Sequence, residues 1–427
     1  MDKAIRKLEP GFRINAEIRL PGSKSITHRA LIMASLAVGE SEITNGLAAE
    51  DTHLTAEALR RLGVGVEWGE EAIVVKPPKH RWVQPSNPVF LGNSGTSMRF
   101  LISLAAAGEG RFVFDGTRRL RERPVGPVLE ALSGLGVTCR YPGQPGYPPV
   151  EIVTSGLNGG EIMVDARQSS QFLSSLLIAA PCAGREVRIR WLETIASLPY
   201  VVLTLGMMEH AGIRFHWADA NQIVIPAPQS YQPVPLAVEG DCSSASYFWA
   251  AAAVTGGEVY TYPLMQQSRQ GDLRLLGVLE EMGCGISWER KGVRVSGPKH
   301  LQPVVLDMNA MPDMVPTVAV LAAFAQGRTQ IANVAHLRVK ESDRLKAIAT
   351  ELRKFAVSVQ EQPDGLVIHG GKVLPPRSGI NVYDDHRIAM AFALIGLRVE
   401  GVEIQGAEAV AKSFPSFWDL FESLGRE

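Results

Sequence analysis

A helix ending in an apolar residue, then glycine, then a strand of alternating apolar residues recurs along this 427-residue chain, and that period limits the fold more than any single motif. It reads LRRLGVGVEW at Gly63, LSGLGVTCRY at Gly136, MMEHAGIRFHW at Gly212, LEEMGCGISW at Gly283, LRKFAVSVQ with Ala356 in the glycine place, and ESLGRE at Gly425. Successive places are separated by 73, 76, 71, 73 and 69 residues. A second pattern interleaves with the first, an Ala-rich apolar helix followed by glycine and a strand. It reads RALIMASLAVGESEI, MRFLISLAAAGEGRFVF, FLSSLLIAAPCAGREVRI, SYFWAAAAVTGGEVYTY, TVAVLAAFAQGRTQI and RIAMAFALIGLRVEGVEI. Each repeat therefore carries two helices and several strands, with the glycine after each helix expected as a left-handed cap. The period is too long for a solenoid.

Three repeats fit before the Pro-containing segment SYQPVPLAVEGD and three after it, so residue 235 marks the expected linker, and the first 20 residues fall outside the six repeats. The expected architecture is two pseudo-threefold α/β domains, 21–235 and 236–427. The apolar content of 46% and the formal charge of −1 suit a soluble enzyme-sized protein and leave no global field for nucleic acid or a membrane surface. Cys139, Cys182, Cys242 and Cys284 are scattered, with no C-x-x-C pair, which argues against zinc and against a disulfide framework. The stretch MDKAIRKLEPGFRINAEIRL has no apolar core of a leader peptide, and no apolar run is long enough for a membrane span, so the expected location is cytoplasmic.

The chemistry gathers just before the Ala-rich helices. In order these positions read GSKSITHR, LGNSGTSMR, RQSSQ, GDCSSAS, NAMPDM and YDDHR. Ser, Thr, Asn and Asp there can be helix caps alone, but capping does not call for Lys24, Arg29, Gln171, His386 or Arg387. Helix starts carrying partial positive charge, with added cations, suit phosphate. PGSKSITHRA lacks the G-x-x-x-x-G-K-[ST] spacing of a P-loop, which argues against a nucleotide.

With these residues in hand, the chain resembles the 5-enolpyruvylshikimate-3-phosphate synthase family over essentially its whole length. The matching stretches are LPGSKSITHRALIMASLA, LGNSGTSMRFL, RRLRERPVGPVLEAL, SSQFLSSLLIAAP, EGDCSSASYFWAAAA, MPDM, RVKESDRL, YDDHRIAMAFAL and AKSFPSFWDL. The resemblance implies two inside-out α/β domains of three βαβαββ repeats each, with the N-terminal strand (1–20) joining the C-terminal domain and the active site in the cleft between domains. It implies enolpyruvyl transfer from phosphoenolpyruvate to the 5-hydroxyl of shikimate 3-phosphate, a step of aromatic amino acid biosynthesis inhibited by glyphosate, with no metal or cofactor and a monomer as the expected state. Lys24, Ser25, Arg29, Ser169, Ser170, Gln171, Ser197, Tyr200, Asp313 and Lys340 match the family's shikimate 3-phosphate contacts. Lys24, Gly95, Arg123, Gln171, Arg344, His386, Arg387 and Lys412 match its phosphoenolpyruvate contacts. Lys24, Asp313 and Glu341 match its catalytic groups, Asp313 beside the attacking hydroxyl and Glu341 at the vinyl carbon.

Bland readings stand beside these. Asp313 after NAMP can be an N-cap, RVKESDRL a solvated charged helix with i,i+3 and i,i+4 pairs, and RLRERP a surface loop. His336 and Phe100 depart from common family residues, which bears on glyphosate. Two other functions remain open from sequence: UDP-N-acetylglucosamine enolpyruvyl transferase, which needs a reactive Cys on a mobile loop, and a non-catalytic anion-binding protein.

Overall fold

The computed structural model describes residues 4–11, 13–78, 82–192 and 194–424. It divides into two compact units, one running Lys24–Val238 and the other combining the residues up to Ser23 with those from Glu239 onward. Within each unit the repeat is visible as a mixed four-stranded sheet. In the first unit, Val89–Phe90, Glu109–Asp115, Val150–Ser155 and Thr138–Arg140 lie in that spatial order. The first pair is parallel, joined through the helix Gly95–Ala106, and the remaining pairs are antiparallel. Gly160–Val164, Val187–Trp191, Gln222–Ile225 and His216–Asp219 repeat the arrangement around the helices Ser170–Ala179 and Leu198–His210. Chain order in both is strand, helix, strand, helix, strand, strand.

The first repeat of each unit takes its leading strand from elsewhere in the chain. In the first unit, Leu236–Ala237 pairs in parallel with Ser41–Thr44. In the second, Asn15–Arg19 pairs in parallel with Glu258–Tyr262 over a five-residue register. The last sheet is completed by Ile5–Leu8, antiparallel to Val402–Gln405. The first 20 residues, which the period leaves outside the repeats, thus supply strands to two sheets of the second unit. The period could not reveal this, because sheet pairing is not local in sequence.

The Ala-rich helices form the inner layer of each unit. Cys242–Thr255 and Val315–Phe324 are apolar all round and buried along nearly their whole length, as helices without a polar face must be. By contrast, Glu50–Arg61 and Arg344–Lys354 carry charge on one face and pack beside the inner layer. Trp249, fully buried, satisfies its indole N–H on Thr261 Oγ1 at 2.8 Å.

The glycine places behave in two ways. Gly63, Gly136, Gly212 and Gly283 are left-handed, with φ between 82° and 99°, and Ala356 is left-handed too, at φ 60°; Gly425 lies outside the described residues. After the Ala-rich helices the expected cap is present at Gly256 (φ 67°) but not at Gly39, Gly108 or Gly184. Gly108 has a steric reason instead, since a Cβ there would fall 1.6 Å from Trp82 Cδ1. Ala356 alone among the five described places carries a Cβ, and a left-handed L-residue costs more than the extra backbone entropy of glycine. Ala356→Gly should therefore stabilise the protein by about 0.5–1 kcal/mol, read as a raised thermal midpoint. An unchanged or lower midpoint contradicts this reading.

Candidate active site

In the first unit the helix starts are laced together by hydroxyl groups. His28 Nδ1 lies 2.8 Å from Thr55 Oγ1, Thr55 Oγ1 lies 2.7 Å from Ser97 Oγ, and Ser97 Oγ lies 2.7 Å from Ser94 Oγ. This places the start of the helix Lys24–Ser35 beside the start of Gly95–Ala106. Lys24 Nζ pairs with Asp51 Oδ2 at 3.2 Å. Ser169 caps Ser170–Ala179 by accepting from the Gln171 amide. Gln171 accepts from Arg99 Nη1 at 2.6 Å and donates to Thr96 Oγ1 at 2.9 Å, so its amide is fixed at both ends. Gly95 opens its helix with the Arg123 guanidinium against it; a Cβ there would meet Arg123 Cζ at 2.6 Å. Arg123 is itself buried and donates to Asn93 O at 2.9 Å.

Arg29 is enclosed on all sides. It donates to Thr204 Oγ1 at 2.7 Å, Ser25 O at 2.9 Å, Tyr200 O at 3.3 Å and Ser174 Oγ at 3.4 Å, and lies over the rings of Phe100 and Tyr200. These acceptors are neutral oxygens. Burial pushes its pKa down to about 10, partly offset by Tyr200, and it remains a cation at neutral pH. Ser197 begins Leu198–His210 in a left-handed conformation, φ 57°, which directs the chain into the helix that carries Tyr200.

In the second unit carboxylates gather around buried guanidinium groups. Arg344, whose side chain is 1% exposed, opens its helix and donates to three carboxylates: Asp385 Oδ2 at 2.8 Å, Glu341 Oε2 at 2.9 Å and Asp313 Oδ1 at 2.9 Å. Arg387 Nη2 donates to the other oxygen of Asp313 at 2.8 Å and to Ser243 Oγ at 3.3 Å. Burial alone would raise Asp313, but Arg387, Lys340 and Arg344 outweigh it and hold this carboxyl far below the usual range. Burial alone would lower Arg344, and its three carboxylates reverse that and raise it. Asp385 caps the helix His386–Ala393 through the Arg387 amide at 3.0 Å and accepts from Ser342 Oγ at 3.0 Å. His386 and Lys412 are buried, Lys412 closing the turn Ala407–Lys412. His336 is pushed down to about 3 by burial and then by Lys340, so its ring is neutral at neutral pH, and its Nε2 has no hydrogen-bond partner among the described residues.

The sequence-derived residues fall into two groups, Lys24 to Tyr200 in the first unit and Asp313 to Lys412 in the second. Asp313 lies in the turn Pro312–Met314 and makes no cap, because its carboxylate is taken by two guanidinium groups. The solvated-helix reading of RVKESDRL fails for Glu341 and Arg344, which are buried. It holds for Asp343, which caps the helix and pairs with Arg338 at the surface. RLRERP divides likewise, since the Arg121 side chain is 51% exposed and Arg123 is buried. Sequence reasoning missed Asp51, Arg99 and Asp385. The signal for Asp51 and Asp385 was an acid at a helix start with a basic residue to pair, which reads the same as ordinary capping.

Burial raises the pKa of all four cysteine thiols, Cys182 to about 11 and Cys284 to about 12, and Cys139 sits on the strand Thr138–Arg140. None suits a chemistry that needs a ready thiolate.

Repeated α/β units with buried cations at helix starts, and three carboxylates tied to one guanidinium, suit an enzyme that handles small anions. The profile of the EPSP synthase family, 3-phosphoshikimate 1-carboxyvinyltransferase, matches residues 8–421, and the chain belongs to that family. It is 58% identical over 419 residues to the 3-phosphoshikimate 1-carboxyvinyltransferase of Syntrophobacter fumaroxidans, covering 98% of this chain and 99% of that protein. It is 41% identical to the protein of the same description from Nostoc punctiforme, covering 96% of each. The solved EPSP synthase of Acinetobacter baumannii superposes with a TM-score of 0.82 at 28% identity, over 99% of this chain and 98% of that one. The enolpyruvyl transferase NikO of Streptomyces tendae, at 16% identity and a TM-score of 0.81 over 100% of this chain and 98% of that one, shares the fold. The protein is therefore a transferase.

Arg344 ties the segment bearing Glu341 to those bearing Asp313 and Asp385. Truncating Asp385 leaves a buried cation short of one partner, so Asp385→Ala should cost about 3 kcal/mol of stability. Chemical denaturation reads this, and a loss under about 1 kcal/mol would contradict it.

Proposed function

We propose that this enzyme transfers the enolpyruvyl group of phosphoenolpyruvate to the 5-hydroxyl of shikimate 3-phosphate, releasing phosphate. The observation that carries the reading is the sharing of Arg344 between Asp313 and Glu341, which fixes two carboxylates at one cation. Lys24, Ser25, Arg29, Ser169, Ser170, Gln171, Ser197, Tyr200 and Lys340 hold shikimate 3-phosphate, and Lys24, Gly95, Arg123, Gln171, Arg344, His386, Arg387 and Lys412 hold phosphoenolpyruvate. The neutral acceptors around Arg29 leave its charge to be met by an anion.

In the chemical step Glu341, which enters it as the protonated acid, delivers that proton to the terminal vinyl carbon, which makes the neighbouring carbon electrophilic. The 5-hydroxyl oxygen bonds to that carbon while its proton passes to Asp313, a carboxylate that Arg387, Lys340 and Arg344 keep ionised before the step. The tetrahedral adduct then breaks its bond to the phosphate oxygen, phosphate leaves with the electron pair and takes up the proton held by Asp313, and Glu341 recovers its proton from the new methyl group. Atoms and charge balance without a further reagent. The four unpaired cysteines fit a reducing cytoplasm.

Phosphate release from phosphoenolpyruvate should depend strictly on shikimate 3-phosphate, and a folded protein without that activity overturns the reading. Glu341→Gln and Asp313→Asn should each lower turnover by about 10² or more with binding of both substrates largely retained. Arg123→Ala should weaken phosphoenolpyruvate more than shikimate 3-phosphate by calorimetry, by about 1.5–3 kcal/mol. Equal losses for both ligands contradict that division.

A further inference from the structure

A second buried carboxyl stands behind Arg387, and the chemistry above does not use it. Asp272 lies in the turn Gly271–Arg274 and is fully enclosed. Its Oδ2 accepts from the hydroxyl of Ser243, near the start of the helix Cys242–Thr255. Ser243 Oγ in turn accepts from Arg387 Nη2 at 3.3 Å, and that same nitrogen donates to Asp313 Oδ2 at 2.8 Å. The turn is pinned to the helix start by Gln270. Its side chain donates to Gly240 O at 2.8 Å and Glu239 Oε2 at 3.2 Å and accepts from the Cys242 amide at 3.1 Å. The chain of donors runs one way, from Arg387 through Ser243 to Asp272, so each bond polarises the next.

We propose that Asp272 is a positioning residue for the reaction: through the Ser243 hydroxyl it fixes one corner of the Arg387 guanidinium and sets how that cation is shared between Asp313 and an incoming phosphate. The proposal rests on the reading of Arg387 as a phosphoenolpyruvate contact. The charged and titratable groups that face Asp272 are Asp313 and Arg387 from neighbouring segments and Asp241 and Cys242 at the helix start, with Glu239 reached through Gln270. Burial, then the charge of Asp313, raises Asp272, against the opposing pull of Arg387 and the Ser243 hydrogen bond. Asp272 therefore keeps its proton at a pH where an exposed aspartate has lost it. As pH rises and it ionises, it draws Arg387 more firmly through Ser243 and opposes a second anion nearby.

The test compares Asp272→Ala, Asp272→Asn, Ser243→Ala and the Ser243→Ala/Asp272→Ala double variant with the parent. The KM for phosphoenolpyruvate should rise roughly fivefold to tenfold in Asp272→Ala and in Ser243→Ala, the size of one hydrogen bond. The double variant should be no worse than either single one, because each breaks the same chain. In the parent, KM for phosphoenolpyruvate should climb as Asp272 ionises, and Asp272→Asn, which keeps the acceptor and loses the charge, should lack that climb. A second readout needs no turnover: the side-chain nitrogen resonance of Arg387 should follow the Asp272 ionisation in the parent and cease to follow it in Ser243→Ala. Parent kinetics and pH profile in Ser243→Ala, or additive effects in the double variant, overturn the proposal. If Asp272→Ala fails to fold, Ser243→Ala and Asp272→Asn still decide. A parent without phosphate release refutes the functional reading instead, and the Arg387 resonance then decides the link to Asp272.

Discussion

Arg344, sealed from water and matched by three carboxylates, is the cation around which the second unit gathers its buried acids. Its fork reaches Asp385, which caps one inner helix, Asp313, in the turn that leads into another, and Glu341, three residues before it in the chain. Removing a charge from such a cluster strands its partners in low dielectric, a penalty larger than the net worth of any one bond. The cluster therefore fixes geometry more than it adds stability. Its consequence is chemical, because Arg387, Lys340 and Arg344 together hold Asp313 ionised against the effect of burial.

The first unit solves a different problem by different means. Hydroxyls and carbonyls, not carboxylates, surround Arg29, and rings of Phe100 and Tyr200 cover its faces. Neutral acceptors satisfy the N–H groups without cancelling the charge, which suits a cation meant for an anionic ligand. Lys24 is paired with Asp51, and Gln171 is immobilised between Arg99 and Thr96. Preset donors of this kind lose little freedom when a ligand arrives.

Much of this was legible in the sequence because it is periodic. Glycine at a helix end and polar residues at a helix start are local signals, and five of the glycine places are left-handed even where Ala356 replaces glycine. Periodicity could not show the features that depend on distant pairing, although the family resemblance implies a place for the first 20 residues in the C-terminal domain. The strands Ile5–Leu8 and Asn15–Arg19 complete sheets whose other members lie hundreds of residues away. Asp385, Asp51 and Asp272 look like caps or surface acids until folding buries them beside Arg344, Lys24 and Ser243. Gly108 reads as a cap and is instead a clearance for Trp82.

Arg387, Lys340 and Arg344 keep Asp313 ionised against the effect of burial. The most direct measurement is the carboxyl carbon resonance of Asp313 followed by NMR as pH is lowered, in the parent and in Arg387→Lys. The parent carboxyl should stay ionised well below the ordinary aspartate range, with its midpoint displaced upward in the variant. A parent midpoint at or above the ordinary aspartate value of about 4 would contradict it.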